Sequence, residues 1–248
     1  MRIGIQLYTL REQMAADLEG TLREVAAMGY EGVEFAGYFG WDAQKLLHLL
    51  DGIGLKAIGG HVYNFQKRLD EEIRYLQDIR GEYIVWPSIP ANERESEEDW
   101  QRIVSRFDAL SSSIAQRGLQ FVYHNHSFEF ESRVDGTWAY DALLTPEAVQ
   151  AEMDICWLQA AGQDASAYIR RYAGRVPLVH IKDYRMDGNR PLTVELGKGI
   201  VPLHEVILAA EESGVQWLIV EQDQSEQSAI ASARNNLEWL NTKFKIHS

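Results

Sequence analysis

Two histidines separated by one residue close an apolar run at Phe121-Val122-Tyr123-His124-Asn125-His126. Alternate side chains of a strand share a face, so His124 and His126 are expected to project together where the strand runs out. Paired imidazoles at a strand end suit a metal site or a proton-transfer site. Three later runs carry the same kind of signal. Glu152-Met153-Asp154 sets two carboxylates on one face, His180-Ile181-Lys182 sets an imidazole and an ammonium on one face, and Val220-Glu221-Gln222-Asp223 ends a strand candidate in carboxylates. Asp154, His180 and Glu221 together make a mixed oxygen and nitrogen donor set, and His124 completes four ligands. Such a set suits one divalent ion, Mn²⁺ first, with Zn²⁺, Mg²⁺ or Co²⁺ as alternatives, and lacks the thiolates that select softer metals. An open coordination position would then take two substrate oxygens.

Lys182 has two readings. An ammonium beside a metal stabilises an enediolate oxygen or binds a hydroxyl. It equally forms a barrel-mouth ion pair with Asp154 or Glu152. Glu129, in Ser127-Phe128-Glu129-Phe130, is close enough in sequence to reach the same mouth. Trp41, Trp86, Trp138 and Trp157 fall at or near strand-to-helix junctions, where aromatic rings either face sugars or fill core.

The elements that must position these groups recur with one rhythm: a helical stretch, a glycine, then a short apolar run. Gly29, Gly54, Gly81, Gly118 and Gly214 mark five such closures, as expected of glycines taking the left-handed conformation at helix ends. Strands are predicted at Ile3–Tyr8, Gly32–Phe35, Leu55–Val62, Tyr83–Trp86, Leu119–His126, Val149–Ile155, Pro177–Lys182 and Val215–Glu221. Helices are predicted at Asp17–Met28, Trp41–Asp51, Phe65–Ile79, Glu97–Gln116, Trp138–Leu144, Ala165–Tyr172, Pro202–Ser213 and Ser228–Phe244. Alternating strands and helices of this number, in 248 residues, predict an α/β fold: a (β/α)8 TIM barrel forming one domain over residues 1–248. A doubly wound sheet is the alternative, but no G-x-G-x-x-G follows the first strand. In a barrel of this kind the chemistry sits at the carboxyl ends of the strands. Glu34, His61, Trp86, His124, Glu152, Asp154, His180, Lys182 and Glu221 all fall there.

Composition narrows the function classes. A formal charge of −13 opposes general binding to nucleic acid. Cys156 is the single cysteine, so no intrachain disulfide framework exists, which suits a reducing compartment. The N-terminus has no signal-peptide organisation and no apolar run approaches the roughly 20 residues of a membrane span, so the expectation is a cytoplasmic protein with no membrane partner. The expected partner is a small sugar or polyol. A homo-oligomer is compatible with the chain, although no patch specifies one.

The chain also resembles a known family. Tyr123–Phe130, Glu152-Met153-Asp154-Ile155-Cys156-Trp157, His180-Ile181-Lys182-Asp183, Glu195-Leu196-Gly197-Lys198-Gly199 and Val220-Glu221-Gln222-Asp223 are similar, in order and spacing, to motifs of the sugar phosphate isomerase/epimerase family. Gly4-Ile5-Gln6-Leu7-Tyr8 and Gly32-Val33-Glu34 also fit. That family lies in the xylose isomerase-like TIM-barrel superfamily with inosose dehydratase, ketose 3-epimerases and endonuclease IV. The resemblance implies a metal-dependent isomerase or epimerase acting by enolisation of a sugar, keto-sugar or polyol. In the ketose 3-epimerases a Glu, Asp, His and Glu set binds the ion, and its glutamates also shuttle the proton. Asp154, His180 and Glu221 match the last three of these, whereas His124 stands where the first glutamate is expected. A symmetrical two-carboxylate epimerisation is therefore replaced by an expectation that Glu221, His126 or Lys182 moves protons. Glu34, His61, Glu129, Trp157 and Lys182 are expected to touch substrate, with Trp157 where those epimerases place a histidine. Elimination of water, as in inosose dehydratase, is the competing reaction. An abasic-site endonuclease and a sugar-binding barrel without turnover are the further alternatives.

Overall fold

The computed structural model describes residues 1–63, 65–226 and 228–244. Eight parallel strands close into a barrel, each paired with its neighbour in sequence and the last with the first. They are β1 (Arg2–Gln6), β2 (Gly32–Phe35), β3 (Lys56–His61), β4 (Tyr83–Trp86), β5 (Gln120–His124), β6 (Gln150–Asp154), β7 (Leu178–Ile181) and β8 (Trp217–Val220). Closure sets Trp217 opposite Arg2 and Val220 opposite Ile5. Helices return outside the barrel, and their apolar stripes pack on the outward faces of the strands in one large core. The predicted (β/α)8 architecture is the observed one.

The helix ends follow from local chemistry. Asp17 accepts a hydrogen bond from Gly20 N at 2.9 Å and starts Leu18–Met28. Asp42 accepts from Gln44 N and Lys45 N and starts Ala43–Ile53, and Ser96 with Asp99 forms a reciprocal cap on Glu97–Ala115. Gly29, Gly54, Gly118 and Gly214 take positive φ as predicted. Gly81 does not. Arg80 takes the left-handed turn there, at φ 59°, while Gly81 packs against the Leu76 side chain.

Inside the barrel a separate apolar plug, including Ile58, Tyr83, Val122, Leu178 and Trp217, fills the lower half. Gly32 makes room for it: a β-carbon there would sit 2.7 Å from the Trp217 ring and 2.9 Å from Ile58. The plug forms the floor on which the polar strand ends rest.

Three boundaries differ from the sequence expectation in ways that shape the site. β1 stops at Gln6, whose side-chain oxygen accepts from Tyr8 N at 2.9 Å and turns Leu7–Leu10 into a 3-10 helix. β5 stops at His124 because Asn125 leaves the ladder. Its Oδ1 accepts from Asp154 N at 3.0 Å and its Nδ2 donates to Asp154 O at 3.2 Å, clamping the ends of β5 and β6. β6 runs directly into the unforeseen helix Ile155–Ala160, which Asp154 caps by accepting from Trp157 N at 3.0 Å. A further unforeseen element, the hairpin of Asp183–Asp187 and Arg190–Val194, follows β7.

Candidate active site

The carboxyl ends of the strands carry two stacked tiers of polar side chains joined by His180. In the lower tier Glu34 Oε2 lies 2.6 Å from Gln6 Nε2, 2.8 Å from His180 Nε2 and 3.1 Å from His61 Nε2. Glu152 Oε2 lies 2.9 Å from His61 Nε2 and 3.3 Å from His180 Nε2. The His61 and His180 rings are stacked, with planes within 8° of parallel. In the upper tier His180 Nδ1 lies 3.0 Å from Glu221 Oε2. His124 Nε2 stands 3.5 Å from Asp154 Oδ2 and 3.9 Å from Glu221 Oε2. Lys182 Nζ bridges the same two oxygens, at 2.9 Å and 2.7 Å, and reaches Asp223 at 3.2 Å.

These groups hold each other's charge. Burial opposes ionisation of Asp154, but Lys182 and His124 hold its carboxyl down at about 2. Burial likewise opposes Glu221, and Lys182 and His180 hold it well below the usual carboxylate range. Burial would discharge His61, yet Glu34 and Glu152 raise it to about 9. His180 is raised in the same way by Glu152 and Glu221. His126 is the exception. Burial and the neighbouring His124 press it down to about 3, so it is a neutral imidazole at physiological pH.

The sequence-predicted ligands His124, Asp154, His180 and Glu221 converge: one donor atom from each lies within 4.8 Å of the others. A second group of the same kind, Glu34, His61, Glu152 and His180, shares His180 with it. Among the described residues, neither buried ring nitrogen of His124 has a hydrogen-bond partner. Buried polar atoms are rarely left so, and a coordinated ion is one way to satisfy one of them. Asp154 commits Oδ1 to its helix cap and turns Oδ2 to the site, a division of labour fixed by the strand-to-helix junction.

Above the upper tier is a cleft of about 360 Å³ whose walls include Tyr8, His61, His126, Trp157, Lys182 and Glu221. His126 and Trp157 face one another, with ring centroids 6.1 Å apart, and Lys182 lies 5.5 Å from the Trp157 ring centre. Of the residues expected to touch substrate, His61, Trp157 and Lys182 line this cleft. Glu34 and Glu129 do not. Both are fully buried, Glu34 beneath His180 and Glu129 behind His126, where it accepts from His126 N at 3.0 Å and from the Tyr123 hydroxyl at 2.5 Å. In these places each supports a histidine, Glu34 the His180 ring and Glu129 the His126 backbone.

Sequence reasoning missed Gln6, Asn125 and the task of Asp183. The Asp183 carboxylate accepts from Tyr184 N and Val201 N on one oxygen and from Gly197 N and Gly199 N on the other, at 2.9 to 3.0 Å. It ties the Glu195–Gly199 motif to the end of β7. Trp86 is core, stacked on Phe65, and Trp138 is half-buried against Phe130 and Arg133.

Comparison with known proteins agrees with this architecture. The xylose isomerase-like TIM-barrel model matches residues 22–243. An inosose dehydratase of Lacticaseibacillus casei is 27% identical over 253 residues, covering 85% of this chain and 84% of that enzyme, while the inosose dehydratase of Geobacillus kaustophilus (strain HTA426) is covered over 62% of its length. The crystal structure of a sugar phosphate isomerase/epimerase from Parabacteroides distasonis ATCC 8503 superposes with a TM-score of 0.81 over 99% of each chain at 22% identity. The IOLI protein, solved with a bound zinc atom, superposes with a TM-score of 0.77 over the whole of both chains at 16% identity.

Proposed function

The chain belongs to the xylose isomerase-like TIM-barrel family, and from that premise we propose that it is a divalent-metal-dependent enzyme that enolises a keto-sugar or a ketone of a cyclic polyol and expels a β-hydroxyl as water. His124, Asp154, His180 and Glu221 would hold the ion. When bound, the ion polarises adjacent carbonyl and hydroxyl oxygens of the substrate. The mixed imidazole and carboxylate donors suit Mn²⁺ or Zn²⁺.

The chain's own groups supply the rest. Glu221, held ionised, takes the proton from the carbon next to the carbonyl. The Lys182 ammonium faces the oxygen on which negative charge develops. The proton gained by Glu221 returns to the departing hydroxyl, so carbon loses one hydrogen and one hydroxyl and one water leaves. His126, neutral and stacked beside Trp157, orients a hydroxyl across the cleft.

The observation that carries this reading is the asymmetry of the site. Both carboxylates that reach the cleft, Glu221 and Asp223, pair with the Lys182 ammonium, whereas His126 offers an imidazole whose basicity is very low. Elimination needs one group that both removes and returns a proton. Epimerisation needs a second group able to deliver a proton to the opposite face. Isomerisation or epimerisation is the second reading, favoured by His126 lining the same cleft as Glu221.

The test is incubation of Mn²⁺-loaded protein with a panel of keto-sugars and inososes in D2O, followed by NMR. Loss of water from one substrate, abolished in Glu221→Gln, is the expected result. Deuterium uptake without loss of water favours the second reading, and neither process across the panel overturns both.

A further inference from the structure

Beside the catalytic cleft lies a second one of about 350 Å³, over the ends of β2 and β3. The two share His61 and Tyr63 as a partition. Nothing in the proposed chemistry uses it.

Its walls are aromatic on one side and charged on the other. Tyr38 and Tyr75 stack with ring centres 3.8 Å apart, and the Tyr75 hydroxyl donates to the Trp41 carbonyl at 2.8 Å, which fixes that wall. Arg68 pairs with both the buried Glu72 and the exposed Glu71, at 3.2 Å each. Phe39 behaves differently from an ordinary packed ring. It is 47% exposed and sits at φ 50°, in the left-handed region that a β-carbon disfavours. A phenyl group held in water on a strained backbone costs stability twice, and such strain gathers at sites that use it. Among the described residues, Tyr63 and Tyr8 are the other exposed large hydrophobic rings, and both line the neighbouring cleft. Exposed aromatic surface is thus concentrated around these two connected clefts.

We propose that the second cleft is a subsite for a second pyranose ring, joined by a glycosidic bond to the ring that reacts at Glu221. The proposal rests on the keto-sugar reading and names its substrate class as a glycoside of two or more rings. The C–H face of a pyranose matches the exposed face of Phe39, and its hydroxyls match the carboxylates of Glu71 and Glu72 and the guanidinium of Arg68. The shared partition makes the link: a disaccharide crossing over Tyr63 places one ring in each cleft. Binding at the second ring then helps to orient the first.

The decisive variant is Phe39→Gly. Glycine relieves the backbone at φ 50° while it removes the ring, so the fold is retained or strengthened as binding is lost. Affinities for glucose, cellobiose, gentiobiose, maltose and trehalose are measured by titration NMR on chelator-treated and on Mn²⁺-loaded protein. At least one disaccharide is expected to bind about tenfold more tightly than glucose, the worth of one aromatic ring contact. In Phe39→Gly that preference falls to about threefold or less, glucose affinity is unchanged, and the melting temperature is equal or higher. Glu71→Gln lowers disaccharide affinity alone. The inference is overturned if no disaccharide outbinds glucose, or if the preference survives in Phe39→Gly. A disaccharide preference without any dehydration or exchange would retain this subsite and remove the enzymatic reading. The reverse pattern would do the opposite.

Discussion

Glu34 is buried beneath His180, and its loss is expected to weaken the metal site. Its Oε2 accepts from Gln6 Nε2 at 2.6 Å and faces His180 Nε2 at 2.8 Å. His180 therefore has its inner nitrogen fixed by a carboxylate, which frees the outer Nδ1, 3.0 Å from Glu221, to serve as the ligand. A carboxylate behind a ligating imidazole makes it a stronger donor, and losing such a partner costs about 10- to 100-fold in metal affinity. Glu34→Gln keeps the shape and one acceptor but turns a charge-assisted hydrogen bond into a neutral one, a difference of about 1.4 kcal/mol or tenfold. Glu34→Leu removes the acceptor and leaves Gln6 Nε2 without it, so its loss should approach the 100-fold end of about 10- to 100-fold. The assay is competition for Mn²⁺ or Zn²⁺ against a chromophoric chelator, with His180→Ala as the non-binding control. Wild-type affinity in both Glu34 variants, alongside no binding in His180→Ala, would refute the coupling.

Three further outcomes follow from named contacts. Burial pushes the Glu129 carboxyl up to about 7 against the hydrogen bonds from Tyr123 and His126. The folded state then holds a proton that the unfolded chain releases near pH 4.5. Stability should fall by up to about 3 kcal/mol as pH rises from about 4.5 through 7. Glu129→Gln should flatten that slope in urea unfolding at pH 5 and pH 8, and parallel slopes would contradict the assignment. Asp183→Ala strands four backbone N–H groups and should cost about 3 kcal/mol, with faster proteolytic cleavage within 195–201; unchanged cleavage would show that the loop holds itself. Gly32→Ala drives a methyl group against Trp217 and Ile58 and should cost about 1–3 kcal/mol by thermal unfolding, with no change in metal affinity.

The fold was legible because its signals are local and repeated. Asp17, Asp42 and Ser96 start three of the helices, Gly29, Gly54, Gly118 and Gly214 turn the chain with positive φ after four, and short apolar runs fill the intervals. The ligand candidates were legible for the same reason, since alternation in a strand assigns His124 with His126 and His180 with Lys182 to common faces. What stayed hidden depends on contacts between distant strands. Nothing near Gln6 announces that it supports Glu34, and nothing near Asn125 announces that it clamps Asp154. Glu34 and Glu129 read as mouth residues because strand-end position does not specify depth. The plug beneath and the histidines above decide that depth.

The Asp183 knot bears on what the loop after the second hairpin strand can bind. Glu195-Leu196-Gly197-Lys198-Gly199 has the look of a phosphate cradle, glycines for close approach and a lysine beside them. Its N–H groups at Gly197, Gly199 and Val201 already point at an anion, and the anion is the protein's own. A β-carbon at Gly199 would strike that carboxylate, so the close approach the glycine permits is taken up internally. Lys198 pairs with Glu195 at 2.6 Å. The loop is a phosphate cradle filled from within, and a phosphoryl group arriving there would have to evict a carboxylate first. The loop therefore spends its anion-binding groups on latching the end of β7, not on a ligand.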